Sequence, residues 1–281
     1  MKSGFKILPL ILVLVILFII SGQTQTLSQV VNGRVLSEET GKGIPYVNLG
    51  VIGKNHGTVT DLSGNFSLEL GEIYDNDSIR FSIIGYTPKS FLVKQFRYDG
   101  SKNIFLKPVS YDLQEVKVIY HKPRTVKLGE PILYNDLRSG FGSNDLGSEL
   151  GVKIHVRGIV KLKDLKINVA ICTYDSVTYR LNIYTMEGTT VCDNILKHQV
   201  YFSFSKNDIN KPVNLDLTPY SIVVEGDILV SLEIYKELGE GKLLFNTTYF
   251  TDVTYHKKTS EGTWSQSPGK VGISLTGISL N

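Results

Sequence analysis

The sequence predicts an all-β protein, two β-sandwiches in series behind an export leader. Three observations carry that reading. Short runs rich in Val, Leu, Ile and Phe recur about every ten residues from Val30 to Leu70, separated by Gly, Pro, Asn and Asp turn chemistry. The second half keeps this rhythm, with apolar–polar alternation along Thr178–Thr185 and Asp227–Ile234. No helical periodicity of useful length follows the apolar N-terminus.

In the first half, strands are expected at Val31–Leu36, Tyr46–Val51, Gly57–Thr60, Asn65–Leu70, Ile79–Ile84, Ser90–Val93 and Ile104–Leu106. Gly41, Gly43, Gly57 and Gly64 stand where a turn needs positive φ or two chain segments approach closely. Pro45 opens a strand, where its missing N–H does least harm. Asp61-Leu62-Ser63-Gly64-Asn65 reads as a tight turn into a strand with Phe66 and Leu68 on one face. Asp75-Asn76-Asp77-Ser78 is a second turn. Its two carboxylates fall short of the six or more oxygens that calcium requires, so a solvated turn is the expectation.

These residues also carry a family pattern. Gly33-x-Val35, Gly43-x-Pro45-x-x-Asn48, Gly57-x-x-Thr60-Asp61-x-x-Gly64-x-Phe66, Phe81-Ser82-x-x-Gly85-Tyr86, Leu106-x-Pro108 and Leu113-x-Glu115-Val116 together resemble the carboxypeptidase regulatory-like domain. The resemblance covers roughly residues 30 to 118. It implies a transthyretin-like (prealbumin-like) sandwich of the kind found at the N-terminus of TonB-dependent receptors in Bacteroidetes. It also implies a non-catalytic module, placed at 29–118. The chain is too short for the receptors' membrane barrel, and the zinc ligands and general base of carboxypeptidases have no counterpart in it.

Composition narrows the class. The 281 residues are 42% hydrophobic and 20% charged with a net charge of +3, ordinary for a globular protein and too weakly basic to argue for nucleic acid. At the N-terminus, Lys2 and Lys6 precede the apolar run Ile7–Ile20 and the small residues Ser21-Gly22. As a helix that run would span about 21 Å, short of the roughly 30 Å hydrocarbon core. A signal peptide over 1–22 is therefore expected, giving an exported protein in the periplasm, at the outer membrane or outside the cell. No membrane span is expected after its cleavage.

Residues 119–130 read as a linker, with His121-Lys122-Pro123-Arg124 breaking the alternation of the preceding segment. The second sandwich, 131–281, is expected to be jelly-roll-like. Its candidate strands are Gly151–Val160, Leu165–Thr173, Thr178–Thr185, His198–Ser205, Ser221–Val224, Ile228–Ile234, Leu243–Tyr249 and Val271–Ser279. Leu181 and Ile183 face one way there, and Arg180, Asn182 and Tyr184 the other. The runs Tyr179–Tyr184, Asn194-Ile195-Leu196 and Asp216–Ile222 are similar to an uncharacterised sandwich that accompanies such regulatory-like domains, a resemblance that implies no activity. Cys172 and Cys192 sit in apolar, strand-like contexts that favour buried thiols, with pairing as the alternative in an oxidising compartment.

Catalytic signatures are missing. His56, His121, His155, His198 and His256 form no metal-ligand spacing, and there is no GxSxG elbow, phosphate loop or dinucleotide fingerprint. His155, beside Arg157, reads as a solvated or satisfied sheet histidine. No catalytic residue, metal site or cofactor is assigned. One aromatic signal remains: Trp264, in Ser260–Gln266, which reads as a Gly- and Ser-rich loop between strands, with Tyr249 and Tyr255 nearby. Trp264 either stacks on a sugar or other partner or folds back onto the core. The function expected is an exported, non-catalytic envelope protein that acts as a binding or docking module, its partner an unidentified envelope protein or cell-wall component. The alternative is a carbohydrate-binding protein.

Overall fold

The computed structural model describes residues 28–98, 102–109, 124–129, 137–248 and 252–280. The expected signal peptide, half of the expected linker and Tyr249 lie outside them. Within them the chain is almost entirely β, as its alternation predicts.

The first half forms two small sheets. β1 (Ser28–Ser37) lies between antiparallel β4 (Asn65–Gly71) and parallel β7 (Lys102–Leu106). The second sheet runs β3 (Gly57–Val59), β2 (Asn48–Val51), β5 (Ser78–Ser82), β6 (Lys89–Leu92). Strict alternation builds the core between them: Phe66, Leu68 and Leu70 from one sheet face Leu49, Ile79 and Phe81 from the other. The Asp61 turn behaves as its residues demand, one carboxylate oxygen accepting the backbone N–H groups of Ser63 and Asn65 at 2.8 Å each. Asp75 and Asp77 pair with Arg97 and Lys54. The strand expected to reach Val93 instead ends at Leu92 and turns into a short helix, Val93–Tyr98. Its buried Val93 and Phe96, three residues apart, both reach the core, where Phe96 packs with Phe66, Phe81 and Phe91.

The second half is organised on one long strand, β10 (Glu149–Cys172), which follows β8 (Arg124–Leu128) and β9 (Arg138–Ser139). Two separate strands are expected here, but the segment between them, 161–164, stays in the sheet with a register shift between Leu162 and Asp164, and the chain continues; Gly158, at φ +69°, lies in a second irregularity between Val156 and Val160. Gly226 similarly joins two expected strands into β15 (Val223–Glu233). Beyond β10 follow β11 (Val177–Glu187), β12 (Thr190–Asn194), β13 (Val200–Phe204) and β14 (Pro212–Asp216). After β15 come β16 (Leu243–Asn246), β17 (Val253–Lys257), β18 (Trp264–Pro268) and β19 (Ile273–Ser279).

The N-terminal part of β10 lies between β15 and β17, and its later part pairs with β14 and β19. One hydrogen-bonded sheet therefore supplies both walls of a single apolar core, with Ile154, Leu181, Ile183 and Val230 packed in it alongside Leu165, Ile167, Ile273 and Leu275. Cys172 is buried in this core and Cys192 is exposed on β12; both thiols are free.

The two halves meet through close backbone approach. Gly50 and Gly57 are directly paired on β2 and β3, and a Cβ on either would come within 2.3–2.4 Å of the Ser260 carbonyl oxygen. The segment between β17 and β18 is thereby seated on the first half. Thr259 donates to the Gly57 carbonyl at 2.9 Å, Ser260 to Asn48 Oδ1 at 3.0 Å, and the Gly53 N–H to the Glu261 carbonyl at 2.9 Å.

Gly57→Val should therefore lower unfolding stability by about 2 kcal/mol, because the side chain meets backbone that has nowhere to go. Gly142→Ala, whose added Cβ would meet nothing within 4 Å, should change it by less than about 0.5 kcal/mol. Urea unfolding of both variants checks this; equal midpoints would show that the contact at Ser260 is dispensable.

Candidate functional site

The face of β11 expected to carry Arg180, Asn182 and Tyr184 does so, but it is not a solvated face. Register sets a row of side chains across six adjacent strands: Tyr201, Arg180, Glu233, Glu149, Lys257 and Trp264, each directly opposite the next. Arg180, Glu233 and Glu149 are almost wholly inaccessible to water, and Lys257 is buried.

The charges are matched atom by atom. Arg180 donates to both Glu233 oxygens, from Nη2 at 2.7 Å and Nε at 2.9 Å. Asn182 Nδ2 donates to Glu233 Oε2 at 2.7 Å. Glu149 pairs with Lys257 and accepts from the Tyr184 hydroxyl at 2.9 Å and the Ser231 hydroxyl at 2.5 Å. Two carboxylates side by side repel; a cation outside each and three neutral donors offset that repulsion. Burial pushes the Glu233 carboxyl up, but the charge and hydrogen bonds of Arg180, with Lys257 and Asn182, more than reverse this and hold it at about 2. Burial also opposes the charge on Lys257, and the facing Glu149 and Glu233 restore it and raise its pKa. Burial, reinforced by Glu149, keeps the Tyr184 phenol protonated.

The row reaches into the first half. Arg180 Nη1 donates to the Tyr46 carbonyl at 2.8 Å, and Tyr46 sits in the left-handed region at φ +60°, a costly conformation for a tyrosine. Its ring meets Tyr235 edge-on at 4.7 Å, and Tyr235 in turn meets Tyr201 at 4.9 Å.

Beside the row lies a cleft of about 570 Å³ lined by both halves. Its floor includes Arg180, Asn182 and Tyr184; one wall is Asp193 and Asn194 of β12, another the loop Ile83–Pro88, and a third Trp264 with Lys257. Asn194 Nδ2 donates to Asn182 Oδ1 at 2.9 Å. Glu261 accepts from the Ser82 hydroxyl at 2.6 Å and lies 3.9 Å from Arg80.

Trp264 thus stands at the start of β18, not in a loop, half-buried, with Lys257 Nζ 5.1 Å from its ring and Tyr184 edge-on at 5.8 Å. Tyr255 is buried beneath it beside Met186 and Leu229, and does not line the cleft. Tyr249 falls outside the described residues. Arg180, Asn182, Tyr184 and Glu233 were legible only as sides of alternating strands and Asn194 only within a short run, while Glu149 and Lys257 carry no local signal; the pairing of these residues was not legible, because the partners are 12 to 108 residues apart. His155 is exposed and bonded to Asp227 at 2.6 Å. No group of three or more His, Cys, Asp or Glu among the described residues is placed to hold a metal ion.

Residues 31–118 match the family described as CarboxypepD_reg-like domain, a generic, non-catalytic β-sandwich module of transthyretin-like fold. No curated protein matches the chain. Among solved structures, a chain in the "Structure of infectious bursal disease virus Gx strain" aligns at 9% identity over 92% of this chain and 77% of that one. Its TM-score of 0.15 carries no argument about fold.

Removing one partner of the buried row leaves an uncompensated charge, so Arg180→Ala should cost about 3–5 kcal/mol of stability. The low Glu233 pKa adds a pH signature. The folded state holds this carboxyl ionised while the unfolded chain protonates it near 4.5, so its contribution is complete above that pH. It is lost as pH falls from about 4.5 towards 2. Glu233→Gln should flatten this part of the stability–pH curve measured by chemical unfolding; an unchanged slope would show that Glu233 is not held ionised.

Proposed function

We propose that the chain is an exported, non-catalytic envelope protein that works by binding, with its ligand surface in the cleft where a regulatory-like sandwich, 29–118, meets a second β unit, 131–281. The observation that carries the reading is the cleft itself: both halves line it, and its floor is fixed by the buried row before any ligand arrives. The matched family supports it, being non-catalytic and often extracellular or periplasmic. The leader-like N-terminus agrees. No described helix is long and apolar enough to cross a membrane. A division of labour follows, in which the first half supplies the loop Ile83–Pro88 as one jaw and the second half supplies the floor and the aromatic wall.

The test is retention of envelope components on the full chain, recovered after export from its own cells. Trp264→Ala and Asp193→Trp serve as cleft variants; Asp193 is exposed on the rim, so a ring there obstructs the opening without touching the core. One component should be retained by the native chain at stoichiometric yield and fall at least tenfold with both variants; Asp193→Trp should keep its thermal midpoint within about 3 °C, whereas Trp264→Ala, which removes a half-buried ring packed on Tyr184 and Lys257, should lower it while leaving a cooperative transition. Equal retention by all three proteins would remove the cleft from the function. No retained component would remove binding altogether.

A further inference from the structure

We infer that this cleft takes a neutral, polyhydroxylated ligand, a glycan segment, held with one sugar ring against Trp264; the inference rests on the cleft being the binding surface. Charge comes first. Arg180 is charge-paired with Glu233, which takes two of its N–H groups while a third goes to the Tyr46 carbonyl; Lys257 is charge-paired with Glu149, and Arg80 faces Glu261. An anionic ligand therefore finds no uncompensated cation and meets the exposed carboxylate of Asp193 on the rim. An apolar ligand would strip water from a floor of guanidinium, amide and phenol groups without replacing their hydrogen bonds.

An extended peptide is the other neutral, polar occupant, and it would bind by adding a strand. The walls do not present one. β12 pairs irregularly with β11, with a register shift between Tyr184 and Met186, and such a bulged edge is a poor template. On the facing loop, the N–H groups of Tyr86 and Thr87 are bonded to the Ile83 and Lys107 carbonyls, the Gly85 carbonyl accepts from Val109, and Pro88 has no N–H. Recognition therefore falls on side chains. Asn194 and Asp193 bring a half-buried amide and an exposed carboxylate to the lining, and the buried Asn182 amide lies beneath them, bonded to Asn194 and Glu233; amide and carboxylate groups of this kind exchange hydrogen bonds with hydroxyls. Trp264, half-buried with Lys257 Nζ over its ring, lines the cleft, and the C–H face of a pyranose ring would pack on the aromatic surface it leaves there.

The protein supplies its own reporter, since Trp264 is its one tryptophan. The emission of the full chain is titrated with neutral hexasaccharides (xylohexaose, cellohexaose, mannohexaose and chitohexaose), with acidic oligogalacturonate, and with the protease-treated glycan fraction of its own envelope. A saturable change in Trp264 emission with a neutral glycan, abolished by periodate treatment of that glycan, is expected. Asn194→Ala should weaken the binding about tenfold, and Asp193→Trp should remove it in isothermal titration. Response to oligogalacturonate alone would overturn the inference. So would silence towards every glycan while a protein component is still retained and lost with Asp193→Trp, an outcome that leaves the cleft reading standing. If retention is also indifferent to Asp193→Trp, both fall.

Discussion

The row from Tyr201 through Arg180, Glu233, Glu149 and Lys257 to Trp264 is the constraint on which the rest depends. Four charges removed from water are a net burden unless each meets a partner at bonding distance. Here they do, and the geometry that permits it exists in only one register of β11, β15, β10 and β17. A slip of one residue in any of them would turn a carboxylate, guanidinium or ammonium into the apolar core that Leu181, Ile183, Leu150 and Leu232 fill on the other face. Hydrophobic alternation alone would tolerate a two-residue slip; the charges do not. The row therefore acts as a pin for the central strands.

The same row decides how the halves sit together. Each half has its own apolar core, and of the first half's residues only Ile84 packs against the second core among the described residues. The seam is accordingly polar: Arg180 on the Tyr46 carbonyl, Ser260 on Asn48, Glu261 on Ser82. A polar seam is directional, and it fixes where the surfaces touch and where they part. Gly50 and Gly57 let the Ser260 backbone come down onto β2 and β3 at one place, and the gap beside it is the cleft. The left-handed Tyr46 belongs to this arrangement, since its carbonyl is aimed at the guanidinium.

Legibility from sequence followed how local each determinant is. The strands of the first half could be read because their turns are chemically explicit, as with Asp61 closing its own loop through Ser63 and Asn65. The helix Val93–Tyr98 could not, because a run such as Phe91-Leu92-Val93 suits either period until a neighbouring aromatic cluster claims Phe96. β17 and β18, which pair with each other, went unread because the outward residues of β18, such as Ser265 and Gln266, are polar and the other pairing of β17 is to the distant β10. The site shows the limit most plainly. Alternation separated Arg180, Asn182 and Tyr184 from Leu181 and Ile183 correctly, but a polar face reads the same whether water or a second set of charges covers it.

What the row does to its own carboxylates bears on the kind of work the cleft performs. A pair of acidic groups beside a sugar-sized opening invites comparison with glycoside hydrolysis, where one carboxyl must hold a proton near neutral pH and the other must be free to attack or to activate water. Glu233 is driven the opposite way: Arg180 takes both of its oxygens and keeps it ionised down to about pH 2. Glu149 spends its oxygens on Lys257, Tyr184 and Ser231. Glu261 is occupied by Ser82 and Arg80. A general acid needs a proton to give, and a nucleophile needs an unbonded lone pair facing the substrate. These three acids are committed to the architecture, and the cleft beside them keeps a polar floor, an aromatic wall and, on its rim, the exposed carboxylate of Asp193.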